Sequence, residues 1–174
     1  MRTSHFAARL SALAVFAAAS VAVVAPIDAH AVSAEARRLM DNMDNLASKN
    51  AWTGVERNYE LLLELGEDVP FKYHMLGAEA ASTQGKTWER YTRMQAALAK
   101  QNDAEVQGAV DAITSQYCLV ELRGKERLHP KLFVHMMPFA PDQRRSIEYA
   151  QTIVEGAGSF KGMLPVGTYG IGTH

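Results

Sequence analysis

The chain has 174 residues, 48% of them hydrophobic, and its 18 basic and 19 acidic side chains give a formal net charge of −1. This near-neutral charge argues against nucleic-acid binding, which normally requires a basic excess or stripe, and the mixed composition excludes collagen-like and disordered classes. The single cysteine, Cys118, excludes an internal disulfide framework and a multi-cysteine metal site. A small globular protein remains.

Residues 1–31 are predicted to be a secretory signal peptide. Two arginines accompany an Ala-rich apolar run over residues 10–25, Pro26 ends the run, and Ala29-His30-Ala31 fits a small-x-small cleavage site. The alternative is an uncleaved membrane anchor, but the run is shorter than the roughly 20 residues that span a bilayer. We therefore expect cleavage after Ala31 and a periplasmic or secreted bacterial protein without stable membrane insertion.

Residues 32–116 contain one proline and many strong helix formers, which predicts a helical region. Apolar periodicity indicates five helices joined by short connections, so that successive helices are antiparallel neighbours. Gly66 and Gly85 are expected at the ends of the second and third helices. The residues expected at the helix starts are Ser33, Asn50, Pro70, Thr87 and Asn102.

These helices form a repeat. The first helix corresponds to the third at a spacing of 34 residues, and the second corresponds to the fourth at 36 residues. In the second pair, Trp52 corresponds to Trp88 and Tyr59 corresponds to Gln95. We expect the two tryptophans to occupy equivalent environments, as wedges between helical hairpins. A period of this length is typical of stacked helix–turn–helix units.

Residues 33–101 resemble the tetratricopeptide repeat. Tyr73 and Leu76-Gly77 match the large residue and the Leu-Gly step of that family's first helix, where the glycine lets the paired helix approach closely, while Trp52 and Tyr59 match positions of its second helix. The resemblance implies a concave, peptide-binding face formed mainly by the first helices. Because two units are few for such an array, the fifth helix or the C-terminal part is expected to cap it. The groove residues that the resemblance implies are Asn42, Asn45, Lys72, His74 and Glu79.

From residue 117 to residue 174 the chain is richer in proline and glycine, which predicts a small β-rich module. Strands are expected over 117–122 and 131–137, and a hairpin joins strands 159–164 and 168–171 through a turn at 165–167. Residues 141–155 favour a helix, although a strand is the open alternative. The predicted fold class is therefore α+β: antiparallel α-hairpin repeats followed by a small β-rich module, with the boundary near residue 116.

The segment from Gly158 to Tyr169 resembles a phrase of extracellular β-sandwich modules of the carboxypeptidase-regulatory-like and PEGA types. The resemblance implies two adjacent strands around a tight turn. Such modules continue their last strand further than His174. We therefore expect either that the sequence is truncated there or that a partner completes the sheet.

The residues with reactive or metal-binding side chains form no catalytic motif. His129, His135 and neighbouring methionines suggest a soft-metal site, but Pro130 interrupts the strand between them, and packed methionines with surface histidines are the favoured interpretation. We expect no catalytic residue, no metal and no cofactor. The sequence thus indicates a non-enzymatic protein-binding adaptor of the bacterial envelope. The alternative is a glycan- or peptidoglycan-binding β module carried on a helical spacer.

Overall fold

The structure is a computed structural model that describes residues 32–124 and 130–172. The predicted signal peptide, together with His129 and His174, lies outside the described residues. Five helices come first, and four short strands with one further helix follow. In chain order the elements are α1 Ala34–Ala47, α2 Trp52–Glu64, α3 Phe71–Thr83, α4 Thr87–Lys100, α5 Ala104–Gln116, β1 Tyr117–Arg123, β2 Lys131–Val134, α6 Pro141–Ala157, β3 Ser159–Pro165 and β4 Tyr169–Gly172.

The fold class is α+β, as predicted. The helical region ends at Gln116 and the first strand begins at Tyr117. The segment with alternative interpretations forms helix α6, whereas the predicted strand over 131–137 ends at Val134.

Helix starts agree with the predictions to within one residue. The Ser33 hydroxyl caps α1 by accepting an amide N–H of the first turn at 3.0 Å, as predicted. Asn50 does not cap α2, because it has a φ of 54° and its amide bonds back to the end of α1. Thr87 is the first residue of α4 and not its cap, and Asp103 caps α5 where Asn102 was expected. A neighbouring polar side chain replaces the expected cap only at α5, whereas α2 and α4 begin without a side-chain cap.

Two helices end just before glycines, as predicted. Gly66 and Gly85 have φ values of 67° and 74°, the left-handed conformation in which chains commonly leave a helix, and both predictions are confirmed. Helix α6 ends at Ala157, two residues beyond the predicted segment, and Gly158 after it has a φ of 70°. Pro70 lies immediately before α3.

Consecutive helices from α1 to α5 pack against one another, and α1 also contacts α3. Helix α3 therefore contributes to two hydrophobic clusters. The first cluster lies between α1, α2 and one side of α3, and the second lies between the other side of α3, α4 and α5. The partly buried Trp52 packs on the first cluster and Trp88 on the second, each in the first turn of its helix.

The side-chain register of the repeat differs from the prediction. The buried Tyr59 and Leu62 of α2 correspond to the buried Met94 and Ala97 of α4, at a spacing of 35 residues. Gln95, which the 36-residue spacing aligned with Tyr59, is exposed. One residue changes the direction of a helical side chain by about 100°. The spacing of 36 residues therefore aligned buried Tyr59 with Gln95, a residue outside the core.

Among the glycines within helices α1 to α5, Gly77 is the one most closely approached by another helix. A Cβ atom on this residue would lie 2.7 Å from the ring of Tyr59, closer than real contacts allow. The sequence predicted that Gly77 permits the approach of its hairpin partner, α4. The structure instead places Tyr59 of α2 there, so the glycine fits the preceding helix.

The four strands form two antiparallel two-stranded pairs, β1 with β3 and β2 with β4. The predicted hairpin between β3 and β4 is therefore wrong. The groups that would close it are engaged elsewhere: the Val166 amide donates to the Gln116 carbonyl at 2.9 Å, and the Tyr169 hydroxyl donates to the Pro165 carbonyl at 2.7 Å. Pro165 itself has no amide N–H to donate.

Helix α6 joins the strands to the helical array. It packs on β2 and β3, and it also contacts α3. The Ser146 hydroxyl hydrogen-bonds to that of Thr87 at 2.5 Å, and a Cβ on Gly85 would lie 2.3 Å from the Arg145 carbonyl oxygen. Tyr117 and the β3 residue Met163 belong to the second helical cluster. The α and β segments thus share a core across residue 116.

We expect Gly77→Ala to destabilise the fold, because the added methyl group meets the Tyr59 ring. Gly108→Ala is the matched control, since Gly108 lies in helix α5 and nothing is within 4 Å of its Cβ position. The free energy of unfolding from urea titration should be about 1–3 kcal/mol lower for Gly77→Ala than for the control. Equal stabilities of the two variants would contradict the close approach.

Candidate functional site

The first helices of the two hairpins, α1 and α3, meet around Asp44. Its carboxylate accepts a hydrogen bond from Lys72 Nζ at 2.7 Å and one from the Tyr73 hydroxyl at 3.3 Å. The hydrogen bond to Asp44 raises the pKa of Lys72. This contact joins residues 28 positions apart in the sequence and fixes which sides of the two helices lie next to each other.

Helical geometry extends this contact into a surface. Each residue advances about 100° around the axis, so positions three, four and seven residues apart share a side. Around Asp44 and Lys72, we group the partly exposed Asp44 with exposed polar residues on adjacent turns of α1 and α3. We call the surface the α1–α3 face; it comprises Arg37, Asp41, Asp44, Asn45, Lys72 and Glu79.

Three of the five predicted groove residues, Asn45, Lys72 and Glu79, belong to this face. Asn42 is exposed as well. It is three residues from Asn45 and therefore lies on the same side of α1 as that residue. Its assignment to the groove stays a prediction.

His74 is buried, with 6% of its surface exposed, and cannot contact a ligand in a groove. Its Nδ1 shares a hydrogen bond of 2.9 Å with the Tyr59 hydroxyl. Burial lowers the pKa of His74, and the nearby charge of Lys100 lowers it further. The sequence prediction of His74 as a groove residue is therefore wrong, because its place on α3 faces α2.

Comparison with family models, curated proteins and solved structures finds no match to this chain. None of the helices in residues 32–124 and 130–172 combines the length and apolar character needed to cross a membrane. The same residues contain no group of three His, Cys, Asp or Glu side chains arranged to hold a metal ion. A functional assignment therefore depends on the geometry of the surfaces and of the buried charges.

Beneath the α1–α3 face, a buried ionic cluster joins α2, α3 and α4. Arg93 donates to both carboxylate oxygens of Glu56 and, at 2.7 Å, to the Gly77 carbonyl. Lys86 donates to the same carboxylate at 2.7 Å. The Arg93 guanidinium also lies 4.4 Å from the centroid of the Tyr59 ring, within the range of a cation–π interaction.

The partners of Glu56 keep it ionised inside the protein. Burial alone raises the pKa of its carboxyl group, but hydrogen bonds from Arg93 and Lys86 outweigh burial, and the pKa is lower than usual. The cluster is a structural element, since Glu56 and Arg93 are both buried. Sequence reasoning missed it. The signal was an acidic residue among the apolar positions of α2 and a basic residue among those of α4. No sequence pattern, however, pairs residues that are 37 positions apart.

A second surface feature lies between the β2–α6 loop and the β3–β4 turn. There a cleft of about 260 Å³ is lined mainly by apolar side chains, among them Met136, Ile147 and Val166. Phe139 in the same loop is 92% exposed. The cleft is thus a concave apolar surface on the β side of the molecule.

We expect Arg93→Met to lower the free energy of unfolding by about 3–5 kcal/mol, because it leaves the Glu56 carboxylate buried without its main partner. The control is Arg38→Met, which removes an exposed ion pair with Glu35 and should cost less than about 1 kcal/mol. Urea titration of both variants measures the difference. Similar losses of stability in the two variants would show that the buried pair contributes no more to stability than the exposed pair.

Stability should also fall in acid. Because the folded pKa of Glu56 is below its ordinary value of 4.5, its contribution is present above that value and is lost as the pH falls through the lower folded pKa. The free energy of unfolding, measured from pH 7 downwards, should decline below about pH 4.5 more steeply in the wild type than in Glu56→Gln. Parallel profiles would contradict this role.

Proposed function

We propose that the protein is a non-enzymatic protein-binding module, a helical-repeat adaptor of the bacterial cell envelope, and that it binds its partner on the α1–α3 face. The contact between the first helices of successive hairpins supports this proposal. Helix α3 contacts α1, α2, α4 and α6, and Lys72 and Glu79 are its exposed residues. Together with α1 it offers one polar strip that a partner segment can follow.

Packing of the array is what a tetratricopeptide-like repeat requires. Each helix contacts the next, and α1 contacts α3, which is the arrangement that brings first helices together on one face. Helix α5, Tyr117 and Met163 cover the apolar end of the second hairpin. They serve as the cap that so short an array needs.

The charges of the α1–α3 face favour a neutral or basic partner segment. The face carries two cations, Arg37 and Lys72, and three acids, Asp41, Asp44 and Glu79, a balance of −1. The charge of Lys72 is already matched by Asp44 at 2.6 Å, so little of it remains for an acidic end. The Asn45 amide can donate to and accept from an extended backbone.

The alternative, glycan binding by the β side, has less support. The cleft there has the polar side chains of His135, Gln143 and Thr168 among a mainly apolar lining, and the most exposed side chains in this region, Met136, Phe139 and Val166, cannot form hydrogen bonds. Sugars present many hydroxyl groups, whose loss of water must be compensated by hydrogen bonds.

The test is an affinity capture from bacterial envelope extract with two matched double variants. Asn45→Ala with Lys72→Ala alters the α1–α3 face, whereas Thr53→Ala with Arg57→Ala alters exposed residues of α2 with the same loss of one polar and one cationic side chain. Quantitative mass spectrometry should find a protein that the wild type and the α2 variant retain. The α1–α3 variant should lose most of it.

Far-UV circular dichroism of both variants must match the wild type, so that the loss reports binding and not unfolding. Equal retention by the two double variants would refute the α1–α3 face as the binding site. Retention of cell-wall sacculi, and of no protein, would favour the glycan alternative.

A further inference from the structure

Strand β1 has one paired edge and one open edge. It pairs with β3 over its whole length, from Tyr117 opposite Pro165 to Arg123 opposite Ser159. The Val166 amide donates to the Gln116 carbonyl, just outside the Tyr117–Pro165 pair. In an antiparallel ladder this bond makes that pair non-hydrogen-bonded and the next one hydrogen-bonded.

This alternation of hydrogen-bonded and non-hydrogen-bonded pairs determines the direction of each backbone N–H and C=O group of β1. Even-numbered residues direct their N–H and C=O groups at β3, and the odd-numbered Leu119, Glu121 and Arg123 direct theirs outwards. Consistent with this, the Tyr117 amide bonds to the end of α5 and not to β3. Within the described residues, no backbone group bonds to the outward groups of these three residues.

An open strand edge of this kind is a template for another extended chain. The strand itself contains no proline, and Leu119 is 53% exposed. We propose that this edge pairs with the same edge of a second copy of the chain, in antiparallel orientation about a twofold axis at Leu122. The two β1–β3 pairs then form one four-stranded sheet.

Charge complementarity selects this occupant and this register. With Leu122 opposite its own copy, Glu121 of each protomer lies directly opposite Arg123 of the other. Both residues direct their backbone groups outwards, so these two residue pairs exchange four backbone hydrogen bonds. In the single chain the exposed Glu121 and Arg123 side chains form an ion pair with each other, 2.8 Å apart. Leu122, which is half-buried, gains an apolar partner across the axis.

Sedimentation velocity of the purified full chain tests this proposal, with reductant present so that disulfides between exposed Cys118 residues do not contribute. Loading up to ~1 mM covers weak association. The wild type should show a monomer–dimer equilibrium. Arg123→Glu alone and Glu121→Arg alone each place like charges opposite one another, which should weaken the dimer about tenfold or more.

Sedimentation of a mixture of these two variants is the decisive test. In a mixed dimer each glutamate again faces an arginine, so an equimolar mixture should dimerise while either variant alone stays monomeric. Arg57→Glu on α2 is the matched charge-reversal control and should dimerise like the wild type. A monomeric wild type, unchanged association of both variants, or a mixture that stays monomeric would each overturn the proposal. Because β1 is not part of the α1–α3 face, these outcomes are independent of the capture experiment.

Discussion

The described fold depends on the junction where Tyr59, Gly77, Glu56 and Arg93 meet. Gly77 lets the Tyr59 ring lie against the backbone of α3, and Arg93 bonds to the α3 carbonyl at the same residue while it pairs with Glu56. Three helices are thereby held at one point. Each part requires the others. A buried guanidinium without its carboxylate partner lowers the free energy of unfolding, and so does a steric clash with the Tyr59 ring.

This junction also determines which side of α3 stays exposed. Because α2 and α4 hold α3 from within, His74 points inwards and Lys72 points towards Asp44 of α1. The α1–α3 face is the part of α3 that this packing leaves exposed. The β segment is attached on another side, through the Thr87–Ser146 hydrogen bond.

Local signals in the sequence predicted most of the secondary structure. Apolar periodicity and the glycines at 66 and 85 gave the helices, because both act within one or two turns of chain. The groove assignment stays a prediction for the exposed Asn42, Asn45, Lys72 and Glu79, and it is wrong for His74, which is buried. A family-like pattern identifies which helix forms a face, but an exact side-chain direction depends on how neighbouring helices are rotated.

By itself, the sequence determined the α+β composition, the change from helix to strand after residue 116 and the places where helices end. Those features arise from interactions between residues that are near in the chain. The tertiary structure alone decided which strands pair, that Glu56 meets Arg93, and that Asp44 binds Lys72. These contacts join residues 28 to 48 positions apart, where many partners are chemically equivalent and only simultaneous packing of the whole core selects one.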